Sequence, residues 1–99
     1  MIVNGYETKT TFWSDFSIAD RFGEKAVRDT YNRAFTEWNS NVEYITELVL
    51  VLNWKCFDYY YKGMMKLSDL YKTLFYKCHH WCCSHLKGKD FEYYFDIVD

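Results

Sequence analysis

Proline is absent from this chain, and glycine occurs only at Gly5, Gly23, Gly63 and Gly88. A many-stranded fold needs more frequent turn residues, so the chain reads as long helices with few breaks. No stretch reaches the ~18 apolar residues that span a bilayer. The best candidate, Val42 to Leu52, is interrupted by Glu43 and Glu47. The start Met1-Ile2-Val3-Asn4-Gly5 has no basic residue and no long apolar run, so no signal peptide is expected. Without membrane or export signals, a cytoplasmic location with reduced cysteines is expected. Catalytic signatures are missing too. There is no Gly-rich phosphate loop, G-x-S-x-G or H-E-x-x-H. Glu43 and Glu47 lie one turn apart, but no E-x-x-H accompanies them as a di-iron bundle requires. A non-enzyme that needs no cofactor is the expectation.

What the chain does have is aromatic residues, at 22% of its length: ten Tyr, eight Phe and four Trp. Ninety-nine residues suit one domain, 1–99, with a radius of gyration of about 13 Å. Each large ring buries roughly 150–250 Å², so one small core cannot enclose them all. Surplus Tyr and Trp at a surface are typical contact residues.

Charge is unevenly spread. Residues 1–52 carry five basic and eight acidic side chains. Residues 53–89 carry seven Lys against two Asp, and residues 90–99 carry four acids and no base. Two readings stay open: a partner-facing basic patch, or an acidic tail lying over the Lys-rich stretch.

Periodicity places the elements. Residues 1–10 have no helical period, and Asn4-Gly5 is a turn signal, so this is an arm or short strand. A first helix is predicted over about 12–22, with Phe12, Phe16 and Ala19 on one face and Gly23 stopping it. A second, about 24–38, shows the stripe Val27, Tyr31, Ala34 and Trp38. Ser40 through Glu43 reads as a capping box for a third helix over about 41–62. Its stripe of Ile45, Leu48, Val49, Leu52, Cys56 and Tyr59 is joined by apolar residues around much of the circumference, which marks the buried centre of the fold. A fourth helix, about 66–87, repeats Leu67, Tyr71, Leu74, Cys78, Cys82 and His85. A short fifth, about 90–97, starts with Asp90 as N-cap and aligns Phe91, Tyr94, Phe95 and Val98. The fold class is all-α: a small bundle of four main helices plus a short C-terminal one.

Two stretches suggest chemistry. Cys78, Cys82 and His85 repeat at i, i+4 and i+7, and thiolate and imidazole are good zinc ligands, with Cys56 as a fourth. The same positions continue the apolar stripe, and free Cys packs like a small apolar group, so core packing is favoured over a metal site. Cys82 with His85 is also a conceivable nucleophile and base. Ile18 through Gly23 resembles the turn of a helix-turn-helix, followed by Lys25, Arg28 and Arg33, which could reach phosphates. The motif wants apolar residues six and nine positions after the Gly, where this chain has Asp29 and Asn32.

Residues 10–99, through TFWSDFSIADRFG, DTYNRAFTEWN, YITELVLVLNWK and HLKGKDFEYYF, resemble a group of small uncharacterised proteins of gut-bacterial phages and mobile elements. The resemblance implies an accessory factor acting inside a bacterial host cell, of the kind that inhibits host defence as anti-CRISPR proteins do. Its partner would be a host protein or nucleoprotein complex. It transfers no site residue.

The leading expectation is a non-catalytic, protein-binding factor. The contact surface is placed at Tyr60, Lys62 and Lys66, where surplus rings meet the Lys-rich stretch. A small nucleic-acid-binding regulator is the alternative, a metal-stabilised helical module the third, and homodimerisation is open.

Overall fold

Asn4-Gly5 dictates the first local structure. Both residues hold positive φ, 51° and 80°, the pairing that a two-residue type I′ hairpin turn demands. It joins β1 (Ile2–Val3) to β2 (Tyr6–Glu7), antiparallel, with Ile2 opposite Glu7 and Val3 opposite Tyr6. The computed structural model describes residues 1–98. Asp99, the last residue of the expected domain, lies outside the described residues.

Five helices follow: α1 (Phe12–Ala19), α2 (Glu24–Trp38), α3 (Val42–Tyr61), α4 (Met65–His85) and α5 (Lys89–Val98). The all-α class and the helix count agree with the sequence pattern. Several boundaries do not. α1 stops at Ala19 rather than near 22 because its end tightens: Arg21 N–H donates to Ile18 and Phe22 N–H to Ala19, both one residue short of the α-helical reach. The expected capping box is displaced by one residue. Asn41, not Ser40, is the N-cap, and its side chain accepts from Tyr44 N–H at 3.1 Å. Glu43 then falls one position early to reach back, and it pairs with Lys9 at 3.6 Å instead. α4 ends at His85 rather than 87, since Leu86 turns extended to pack against the core. Asp90 lies inside the first turn of α5, whose opening carbonyl comes from Gly88 to Glu92 N–H, so Asp90 is not the N-cap.

The α3–α4 turn is built on Gly63. Met64 N–H donates to Tyr59 C=O and Gly63 N–H to Tyr60 C=O, a Schellman motif that requires the left-handed φ of 75° found there. This turn sets α4 back along α3 and leaves the last residues of one helix beside the first of the other.

α3 touches each of the other four helices. Ile45, Leu48, Val49, Val51 and Leu52 have no exposed surface, which puts the centre of the fold where the apolar circumference placed it. Cys56 and Tyr59, expected on that stripe, are only partly buried, because α3 outruns the core at its C-terminal end. Phe12 and Phe16 of α1, Val27 and Tyr31 of α2, and Tyr71, Leu74, Cys78 and Cys82 of α4 close around it. α5 contributes Tyr94, but Phe95, expected on the same stripe, is half exposed. The radius of gyration is 12.8 Å. Among the described residues, no helix is long and apolar enough to cross a membrane.

Candidate functional site

The last two turns of α3, the Gly63 turn and the first three turns of α4 form one continuous surface. Tyr60, Lys62 and Lys66 are all exposed, but of the three only Tyr60 lines the groove between the two helices. Around them stand large apolar groups in contact with solvent: Phe57 at 51%, Tyr61 at 81%, Met64 and Met65 just under half, and Tyr76 at 57%. Local sequence explains the crowding. Tyr59, Tyr60 and Tyr61 point three ways on a helix. Only Tyr59 turns inward, where it stacks on Tyr71 at 5.9 Å. Tyr61 stacks on Phe57 at 6.4 Å and meets Tyr60 edge-on at 5.6 Å, so the exposed rings order one another.

Between the helices runs an open groove of about 370 Å³. Its apolar walls are Phe57, Tyr60, Met65 and Tyr76, and Lys72 and Asp69 stand at its rim. The floor is pinned: Ser68 Oγ donates to Cys56 C=O at 2.8 Å and lies 3.6 Å from the Cys56 thiol. Lys62 is held to Asp58 at 3.0 Å and sits over the Tyr59 ring, so its charge is already partly matched. Lys66 has no such partner among the described ion pairs.

A larger depression, about 670 Å³, lies between α1 and α2, where Ile18 and Phe22 are exposed. This is the stretch that resembles a helix-turn-helix. Its cations are engaged locally: Lys25 with Asp29 at 2.8 Å, Arg28 with Glu24 at 3.2 Å, and Arg33 with Thr30 Oγ1 at 3.3 Å. The two i,i+4 ion pairs leave a mixed-charge face rather than a phosphate-seeking one.

The four candidate zinc ligands are not brought together. Cys78 and Cys82 are fully buried. Cys56 sits on Ser68 in the α3–α4 groove. His85 is exposed, stacks on Trp81 at 4.5 Å and shares a hydrogen bond with the Trp81 carbonyl at 2.9 Å. It lies within about 20° of Cys78 around the helix, yet its ring stays at the surface against Trp81. Among the described residues, no group of three or more His, Cys, Asp or Glu side chains could hold a metal ion. The Cys82 thiol beside Cys78, together with burial, pushes the Cys78 thiol well above its ordinary ionisation range. Cys82 and His85 likewise do not pair; the cysteine that meets a histidine is Cys83, with His79.

Three buried polar groups escaped the sequence reading. Asp20, just past α1, accepts from the hydroxyls of Tyr59 and Tyr71 and from Lys55 at 3.3 Å. Lys55 also donates to Ser17 Oγ at 2.6 Å and lies 4.3 Å from the Trp13 ring centre. Glu47, without exposed surface, accepts from Lys9 N–H at 2.7 Å, from Thr10 N–H at 2.9 Å and from the Thr10 hydroxyl. It fixes the entry to α1, while Asp20 and Lys55 fix its exit. The signal lay in α3 itself: on a helix apolar nearly all round, Glu47 and Lys55 must also be buried, and buried charge demands partners. Lys55 therefore contributes nothing to a surface patch. No ion pair among the described residues joins Asp90, Glu92 or Asp96 to a lysine, so these three acids do not neutralise the Lys-rich stretch by direct pairing.

Comparison of the chain with protein-family models, curated proteins and solved structures finds no match.

Proposed function

We propose that this chain is a non-catalytic protein-binding factor that seats a partner on the α3–α4 surface. The observation that carries this reading is the exposure of six large apolar side chains, Phe57, Tyr60, Tyr61, Met64, Met65 and Tyr76, along α3, the Gly63 turn and the first half of α4, outside the closed core. Contiguous exposed apolar groups rimmed by charge mark interaction surfaces. Tyr supplies large contact area, and Met adapts its shape to a partner.

The occupant that fits is an apolar helix of another protein, bearing acidic residues on its flanks. The groove runs between two helices, as helix-in-groove recognition requires. Lys72 lines the groove with exposed charge, and Lys66 is exposed in the first turn of α4. The phage-protein resemblance directs the search to bacterial host proteins and nucleoprotein complexes, where binding would inhibit the target.

The test is affinity capture from bacterial lysate, followed by titration of the purified partner against surface variants. Tyr60→Ala and Met65→Ala should preserve the melting temperature and weaken binding by about tenfold or more each. Lys66→Glu should slow association and change its salt dependence, more than Lys62→Glu, whose charge Asp58 already partly offsets. Full affinity in all four variants overturns the reading. So does steep, salt-sensitive nucleic-acid binding lost in the two Lys variants, or self-association of the pure chain lost in Tyr60→Ala.

A further inference from the structure

The C-terminal halves of α2 and α4 run side by side in the same direction. Lys77 lies 5.6 Å from the centre of the Tyr31 ring, and one turn later on both helices Trp81 meets Phe35 at 5.1 Å. Between them opens a depression of about 510 Å³, within the roughly 300–1,000 Å³ of small-ligand sites. It shares no lining residue with the α3–α4 groove. One end is a wall of rings. His85 lies flat on Trp81, with centres 4.5 Å apart and planes 9° from parallel, and Phe35 stands at 74° to Trp81. His85 Nδ1–H donates to the Trp81 carbonyl at 2.9 Å, which keeps the imidazole on the indole. His85 is exposed and no second ring stacks on it among the described residues, so a planar group can extend the stack.

The other end is basic. Lys77 and His80 are exposed there, and Lys77 enters no ion pair among the described residues. No aspartate or glutamate lines the depression, and the amide of Asn32 adds a neutral donor. The other hollows differ: Asp15 and Asp29 line the one between α1 and α2, and Asp69 lines the α3–α4 groove. On a chain of net charge −2, a hollow bordered by basic groups alone favours an anion. Lys77 and His80 precede the end of α4 by more than one turn, beyond the reach of its negative terminus. Lys77 precedes Trp81 by about 6 Å along the helix axis, a span that a ribose bridges. We propose that the α2–α4 depression binds a nucleoside phosphate, with its base on the His85–Trp81 stack and its phosphate at Lys77 and His80. Stacking on a ring face accepts any base, so the site selects for the phosphate and a planar base rather than for one base.

The experiment titrates the purified full chain with adenosine monophosphate, adenosine, inorganic phosphate and a short single strand of deoxyadenylates, by calorimetry. Adenosine monophosphate should bind at one site, with adenosine and inorganic phosphate each weaker by about tenfold or more. Lys77→Gln and His85→Ala should each weaken it by about tenfold or more, while Lys25→Gln at the far end of α2 leaves it unchanged. Melting curves show whether each variant folds. A second readout needs no variant: in ¹⁵N spectra of the histidine rings, the nucleotide should move the His80 and His85 resonances and leave His79 in place. The strand separates two sources of the same chemistry. Tighter binding of the strand, lost in the same two variants, assigns the site to a nucleotide within a nucleic acid, and the reverse order assigns it to a free one. Absence of binding by nucleotide and strand up to about 1 mM overturns the proposal. So does inorganic phosphate binding as well as the nucleotide, or an affinity that neither Lys77→Gln nor His85→Ala moves.

Discussion

Replacing Asp20 by Ala should be among the most damaging single substitutions outside the apolar core. Its carboxylate receives Lys55, Tyr59 and Tyr71 at once, and the side chains of the Asp20–Lys55 pair are only 7% and 4% exposed. Removing it leaves an ammonium with Ser17 and the Trp13 and Tyr59 rings but no counter-charge in contact. Breaking a buried pair from one side typically costs about 3–5 kcal/mol, because the other charge stays buried and unmatched. A domain of this length is stable by about 5–15 kcal/mol, so roughly a fifth of the total or more is at stake. With a urea m-value of about 2 kcal/mol/M, the unfolding midpoint should fall by roughly 2 M. Lys55→Met makes the opposite cut. Asp20 keeps two phenol donors, and Met fills the space of the lysine stem, so the loss should stay within about 1–2 kcal/mol. The double variant should recover part of the Asp20→Ala loss, since the stranded charge is gone. Urea denaturation of all four proteins measures the cycle. If Asp20→Ala loses under about 1 kcal/mol, or Lys55→Met is the worse of the two, the network does not hold α1 as its geometry indicates.

Leu52→Ala, at a site without exposed surface, should lose about 2–5 kcal/mol in the same assay; a wild-type midpoint would remove α3 from the centre of the fold. Thr46 is fully buried and its hydroxyl has no hydrogen-bond partner among the described residues, so Thr46→Val should raise stability by about 1 kcal/mol, and a lower melting temperature would refute the orphan hydroxyl. Alkaline pH should destabilise the fold steeply. Burial raises the phenol ionisation of Tyr31, Tyr59, Tyr71 and Tyr94, with thiol neighbours adding to Tyr31 and Tyr94, and Asp20 to Tyr59 and Tyr71. The folded chain keeps these protons where the unfolded chain loses them, so their stability is intact below about pH 10 and is lost above it. Lys55 works the other way: burial lowers its ionisation, against the pull of Asp20, so the folded chain sheds that proton first and stability gains as pH rises toward about 10.4. Melting temperature against pH should therefore turn downward near pH 10, and a curve still climbing at about pH 11 would contradict the burial of the four phenols.

Helices were legible because their evidence is local. The stripe Val27, Tyr31 and Ala34 is buried as its spacing requires, and α2 occupies 24–38 as read. Asn4-Gly5 turns the chain where its φ preferences say it must. The boundary errors had different causes: α1 ends early because its last turn tightens locally, and α4 because Leu86 leaves the helix for the core. On the surface, Tyr60 was read as exposed because it falls off the stripe, and it is. Met64, Met65 and Tyr76 were not read with it, since nothing in the order of residues says how far α4 slides along α3.

Period, turn chemistry and the missing prolines by themselves determined an all-α chain with α3 innermost, because backbone propensity and amphipathic spacing act over one or two turns. Only the tertiary structure decided which polar residues share a partner. Glu47 meets Thr10 across 37 residues, Asp20 meets Tyr71 across 51, and His79 meets Tyr94 on another helix. A hydrogen bond depends on distances of tenths of an ångström, and those are set when helices dock, by the volumes of the side chains between them and not by the spacing within any one of them.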